Sequence, residues 1–225
     1  MKNFFKLGKF SELNLALLLI ATSGPLGRSL TMNPIQSIWW RALLSLLILA
    51  AIIKLSKYDW RVKQIKSLKV LTLSGVLMAI HWVTYFYALQ LSGVAIGMLS
   101  LFTYPVITAF LEPFFTKRKV NPLQVLLALI ICFGMYLILP EFSLENTKTQ
   151  GILWGTLSAF SYSLRNLVLK TFVKDVKAPV IMFYQMMVTV LVLSPSLYFF
   201  SIDVVPSALP VLLSLALFTT CLGHS

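Results

Sequence analysis

The residues of this 225-residue chain that could do chemistry are few, and they are single groups set in long apolar runs: Arg28, Arg41, His81, Glu112 and Arg165. An ionisable side chain at bilayer depth costs at least ~2.5–3.5 kcal/mol on insertion scales unless it meets a cavity or a partner. His81 is the most informative of them. Neutral imidazole donates one hydrogen bond, accepts one, and titrates near physiological pH. Tyr85 follows it by one helical turn on the same face, with Trp82 and Phe86 beside it. Two uses are open to His81: lining a substrate cavity, or tying one helix to another. Arg41, directly after Trp39 and Trp40, reads either as a cavity group or as an interfacial arginine that snorkels behind an aromatic belt. Glu112 stands less than two turns before Lys117-Arg118-Lys119, as an interfacial ion pair or a proton relay.

Hydrolytic chemistry finds no support in these residues. A nucleophile elbow, a phosphate loop, a metal motif and paired carboxylates are all missing from the sequence. The two cysteines, Cys132 and Cys221, lie in apolar runs and supply neither a disulfide framework nor a four-ligand zinc site. No catalytic residue, metal or cofactor is therefore expected.

The elements that must position these groups follow from composition. Hydrophobic residues make up 58% of the chain and charged residues only 12%, with a mean hydropathy of +0.86. A soluble domain is about 45–50% apolar and about 25% charged, so a water-soluble globule and a disordered chain are both excluded. About 20 apolar residues cross a bilayer core as a helix. That length places eight spans at 12–32, 36–54, 70–91, 94–116, 122–140, 151–171, 179–200 and 207–225. The runs are continuous and too long for barrel strands, so the chain is all-α.

Charge sets the direction. Of the 19 Lys and Arg residues, Arg28, Arg41 and Arg165 lie inside spans. If eight spans alternate, Lys148 stands alone on one side with Glu141, Glu145 and Asp203, and every other Lys and Arg falls on the opposite side. That basic side is cytoplasmic by the positive-inside rule, which puts the N-terminus inside. The formal charge of +12 is thus topological and argues against a nucleic-acid partner. The opening MKNFFKLGKF, followed by an apolar run and Ala21-Thr22-Ser23, has features of a signal peptide. Its apolar stretch continues to Met32, past Arg28, so a retained first span is expected.

Two parts of the chain look alike. Leu26-Gly27-Arg28-Ser29-Leu30 matches Ser163-Leu164-Arg165-Asn166-Leu167 with the arginines in register. Trp39-Trp40-Arg41 lies beside Phe183-Tyr184-Gln185, and His81 of the third span meets His224 of the eighth. Gly93-x-x-x-Gly97 and Gly151-x-x-x-Gly155 each open a helix with a close-packing pair. A first unit of five spans at 1–140 forces the second, 151–225, to start from the opposite membrane face. Inverted repeats of this kind are secondary-transporter architecture, with substrate held near the midplane. Candidate cavity residues are therefore His81, Tyr85, Arg28, Arg165, Arg41, Gln185 and His224. Pro25, Pro105 and Pro195 interrupt local hydrogen-bond ladders and mark places where helices can bend.

These residues resemble the drug/metabolite transporter superfamily, in particular its EamA-type members. The resemblance rests on Trp40-Arg41-Ala42-Leu43-Leu44, then Tyr87-Ala88-Leu89 with a short turn into Ala95 through Pro105, then Gly134-Met135-Tyr136-Leu137-Ile138. Gly151 through Lys170 is similar to the opening helix of a second repeat. Many members carry Glu-Arg or Glu-Lys at the end of the fourth helix, where this chain has Lys117-Arg118-Lys119, so a role for that glutamate does not transfer. The resemblance implies ten helices in two inverted five-helix repeats around a cavity lined by helices 1–4 and 6–9. With eight of the ten present, the chain is expected to be a fragment lacking the last two.

The reading is a polytopic helix bundle of a bacterial inner (plasma) membrane, a permease or exporter of a small polar or amphipathic metabolite working by alternating access. Its expected partners are that small molecule, the lipid bilayer and a second copy in a homodimer. A lipid-acting membrane enzyme and a structural or assembly subunit are the alternatives.

Overall fold

The computed structural model describes residues 9–116, 122–138, 143–174, 176–199 and 206–223. Every regular element among them is helical. In chain order these are α1 (Lys9–Ala21), α2 (Ser23–Ser29), α3 (Pro34–Leu55), α4 (Ile65–Leu101), α5 (Tyr104–Phe115), α6 (Pro122–Ile138), α7 (Thr147–Phe172), α8 (Ala178–Leu193) and α9 (Leu209–Ser214). A 3-10 turn, Ser194–Tyr198, extends α8, and a π-helical segment, Leu215–Leu222, continues α9.

Local chemistry sets several of the ends. Asn33 caps α3, its side chain accepting from the Ile35 amide at 2.9 Å, with Pro34 in the first turn where no amide is needed. Asn146 caps α7 in the same way through the Lys148 amide at 2.9 Å. Each of the three prolines expected to interrupt a span sits in the opening turn of a new segment. Pro25 is in α2 after the break at Thr22, Pro105 in α5 after Phe102–Thr103, and Pro195 in the 3-10 turn. Proline has no amide to donate back, so each new segment begins where the previous ladder stops.

The boundary expected between the third and fourth spans lies within α4. Gly93 has φ 82° and ψ 174°, a conformation that only glycine adopts readily. Its two legs then double back on each other. Gly97 packs against the Leu89 backbone, and both Tyr85 and Met98 reach Gly24 of α2. The expected Gly93–Gly97 packing pair therefore divides its roles. A Cβ on Gly93 would meet nothing, so Gly93 serves the turn and Gly97 the close approach. Gly151 and Gly155 of α7 do pack as a pair, against Ser92 and Ser100 of α4. Among the described residues, the α4–α7 seam is the most extensive in the bundle.

Polarity is inverted relative to a soluble protein. Ser37, Arg41, Ser45, His81, Ser158, Arg165, Gln185, Thr189 and Thr219 are buried. Leu126, Ile130, Phe133 and Leu137 of α6, with Leu17, Leu18, Leu47 and Leu191 elsewhere, are exposed. An apolar exterior around a polar interior is the arrangement of a helical membrane bundle. By length and composition, Pro34–Leu55, Ile65–Leu101 and Ala178–Tyr198 are long and apolar enough to cross a membrane, with shorter apolar helices at Pro122–Ile131 and Pro206–Leu222. The first expected span is divided at Thr22, and the fourth at Phe102–Thr103. An apolar core of Ile38, Leu49, Met78, Phe86, Leu89, Met182 and Leu212 joins α3, the first leg of α4, α8 and α9, with Met98 and Leu101 of the second leg packed against it.

Candidate functional site

A cavity of about 620 Å³ opens between α1, α2, α3, both legs of α4, α5, α7 and the π-helical segment. Its walls are mostly apolar and aromatic, and its polar groups come from separate helices. That combination is typical of small-molecule sites.

Arg41 reaches the cavity from α3 and is only 2% exposed. Its Nε–H donates to Thr220 Oγ1 at 3.0 Å and its Nη2 to Thr219 Oγ1 at 2.8 Å. The guanidinium carbon lies 3.8 Å from the Trp82 ring centroid, a close cation–π stack. The two threonines are adjacent in sequence, and both hydroxyls also donate to the Leu215 carbonyl, at 2.7 Å and 3.1 Å. The widened π turn lets neighbouring residues share that carbonyl and still face one guanidinium; such turns recur at functional sites. Arg41 Nη1 has no hydrogen-bond partner.

His81 of α4 is held by Ser158 of α7. Its Nδ1 lies 2.7 Å from Ser158 Oγ and 3.2 Å from the Ser158 carbonyl, while Ser158 Oγ donates to the His81 carbonyl at 2.8 Å. The imidazole and the serine hydroxyl thus clasp the two helices at two points. The ring packs against Tyr162 at 4.7 Å and stacks on Tyr85 at 6.3 Å, and Tyr104 meets Tyr162 edge-on at 5.0 Å. His81, Tyr85, Tyr104 and Tyr162 all line the cavity.

The other candidates lie elsewhere. Arg165 and Gln185 are brought together but not at the cavity wall. Arg165 Nη2 donates to Gln185 Oε1 at 2.6 Å and Nη1 to Asn166 Oδ1 at 2.8 Å, while Gln185 Nε2 donates to Ser74 Oγ at 2.9 Å. This chain ties α7 and α8 to the first leg of α4. Arg28 is exposed at the end of α2. Glu112 pairs with Lys170 of α7 at 3.2 Å, whereas Lys117-Arg118-Lys119 lie outside the described residues, as does His224. Among the described residues, no group of three or more His, Cys, Asp or Glu could hold a metal ion.

Sequence reasoning did not single out Ser158, Tyr162, Tyr104, Thr219 or Thr220. For Ser158 and Tyr162 a signal existed: polar groups four residues apart on one face of a helix. For Thr219 and Thr220 none did, since two adjacent residues of an α-helix do not face one target.

Residues 13–139 match the family model described as the EamA-like transporter family. One solved crystal structure superposes with a TM-score of 0.69 at 17% sequence identity, covering 95% of this chain and 75% of that chain, a likeness of fold. No curated protein sequence gives a significant match.

Proposed function

This chain belongs to the EamA-like transporter family, a branch of the drug/metabolite transporter superfamily, and on that footing we propose that it carries a small polar or amphipathic metabolite across the inner membrane by alternating access. The observation that carries the reading is the 620 Å³ cavity with Arg41, His81 and three tyrosines on its walls. Buried polar groups gathered from several helices around one space are what a substrate site within a bilayer needs. The helices bordering the cavity are interrupted at Thr22, Gly93 and Phe102–Thr103. Breaks of this kind let one part of a wall move while the rest stays packed.

The proposed organisation is two inverted repeats, 1–140 and 151–225, in a multi-pass chain with its N-terminus in the cytoplasm. One register supports the repeat. Pro34 to Arg41 in α3 and Ala178 to Gln185 in α8 are both seven residues, so the aligned polar residues stand at equal depth in their helices. The lysines and arginines between positions 54 and 69, at the facing ends of α3 and α4 and in the loop joining them, support the orientation.

Two measurements test this reading. The protein reconstituted in proteoliposomes and screened against a metabolite mixture should give saturable uptake or counterflow of at least one compound; flux no higher than in empty vesicles overturns the transporter assignment. A cysteine at Lys63 should resist a membrane-impermeant thiol reagent in intact cells while one at Thr147 reacts, and the reverse pattern overturns the orientation.

A further inference from the structure

Among the described residues, Arg41 is a buried cation with no carboxylate beside it. Among the described residues lining the cavity there is no Asp or Glu, and Arg41 is the one Lys or Arg. Taking a guanidinium out of water is expensive unless its charge is balanced and its donors are met. Here the stack on Trp82 and two threonine oxygens meet part of that need. The threonines are neutral, and Nη1, with its two N–H groups, has no acceptor. The cavity wall thus carries one unbalanced cation, whose buried Nη1 has no acceptor from the protein.

We propose that the cavity binds an amphipathic carboxylate, with the carboxylate drawn to the Arg41 guanidinium and an apolar or aromatic body against Trp82, Tyr85, Tyr104 and Tyr162. This rests on the transporter reading above and names the substrate class for that cavity. Charge-assisted N–H···O⁻ bonds are about twice as strong as neutral ones and strengthen in a low-dielectric interior. The single guanidinium selects for charge number as well. A phosphate monoester carries about −1.5 to −2 at pH 7 and would leave charge unbalanced at depth, whereas a carboxylate matches Arg41 one to one. A free amine finds no acidic partner among the described lining residues.

The test uses the purified full chain in detergent and three probes of one shape: phenylacetate, phenylacetamide and phenethylamine. Titration calorimetry should show phenylacetate binding at least tenfold more tightly than either of the others. Arg41→Gln should weaken phenylacetate roughly 10- to 100-fold and leave phenylacetamide nearly unchanged, as expected for loss of a hydrogen bond to a charged group. Arg41→Lys, which keeps the charge, should retain part of the preference. The wild-type ranking is decisive even if the variants fail to fold. Equal or tighter binding of the amide or the amine overturns the proposal, as does no heat for any probe, or a preference that survives Arg41→Gln. Flux separates this proposal from the reading beneath it. Saturable transport of phenethylamine but not phenylacetate sinks the carboxylate site and keeps the transporter. Selective phenylacetate binding, with no flux of any compound in proteoliposomes, does the opposite.

Discussion

Arg41 and Arg165 are both guanidinium groups sunk in the bundle, 2% and 8% exposed, but their surroundings differ in kind. Arg165 is engaged mainly by protein, its buried Nε alone lacking a partner. Gln185 and Asn166 take its two terminal nitrogens, and Gln185 passes the connection on to Ser74, so three helices are held by one cation. Arg41 is held by two threonines that are already bonded elsewhere, stands on the cavity wall, and leaves Nη1 without an acceptor. The difference shows that burial of a charge does not by itself mark a site. Each keeps one nitrogen without a partner, so what distinguishes the two is position: Arg41 lines the cavity and Arg165 does not.

The largest expected effect is on the locked side. Gln185→Leu removes the acceptor from Arg165 Nη2 and strands a buried charged donor, so stability should fall by about 1.5–3 kcal/mol in denaturant unfolding in detergent, with phenylacetate affinity changed by less than about twofold. Lost affinity with unchanged stability would dissolve the distinction between the two arginines. His81→Ala comes next. Its bonds to Ser158 lie in the α4–α7 seam, so roughly 1–3 kcal/mol of stability should be lost. Its effect on affinity should stay below that of Arg41→Gln. If affinity falls and the melting temperature does not, His81 moves from the seam to the recognition group.

Arg41→Met should change stability by less than about 1 kcal/mol in either direction, because an apolar side chain replaces a half-satisfied cation and Thr219 and Thr220 keep their bonds to Leu215. A large destabilisation there would make Arg41 structural and erase its contrast with Arg165. The smallest effect belongs to Glu112→Gln. Its partner Lys170 is 64% exposed, so about 0.5 kcal/mol or less is expected, shrinking further in added salt. Neither binding nor flux should respond.

Much of the bundle was legible in one dimension because membrane helices must satisfy their own backbone and present apolar side chains outward. Hydropathy alone placed the segments that became α3, α6 and α8 to within a few residues, and the prolines marked where segments restart. The glycine pairs were legible only as a composition. Gly97, Gly151 and Gly155 do admit close neighbours, but Gly93 serves a positive φ, and nothing in G-x-x-x-G separates a packing glycine from a turning one. The site divided similarly. His81 and Tyr85 share the cavity as one helical face requires, and Arg41 joins them from another helix. Arg28 stands exposed, and Arg165 with Gln185 forms its own chain.

By itself, then, the sequence determined the all-helical class, the positions of most apolar segments, the burial of a handful of polar groups and the family. These follow from short-range properties: hydropathy over a bilayer's thickness, proline's missing amide, charge beside a span. Tertiary structure decided which polar groups use each other up. That Gln185 meets Arg165, that Ser158 meets His81, and that a π turn brings Thr219 and Thr220 together beside Arg41 all depend on helix rotation and depth. Hydropathy constrains neither of those closely, because a one-residue rotation about a helix moves a side chain by some 100° while leaving the apolar average nearly the same.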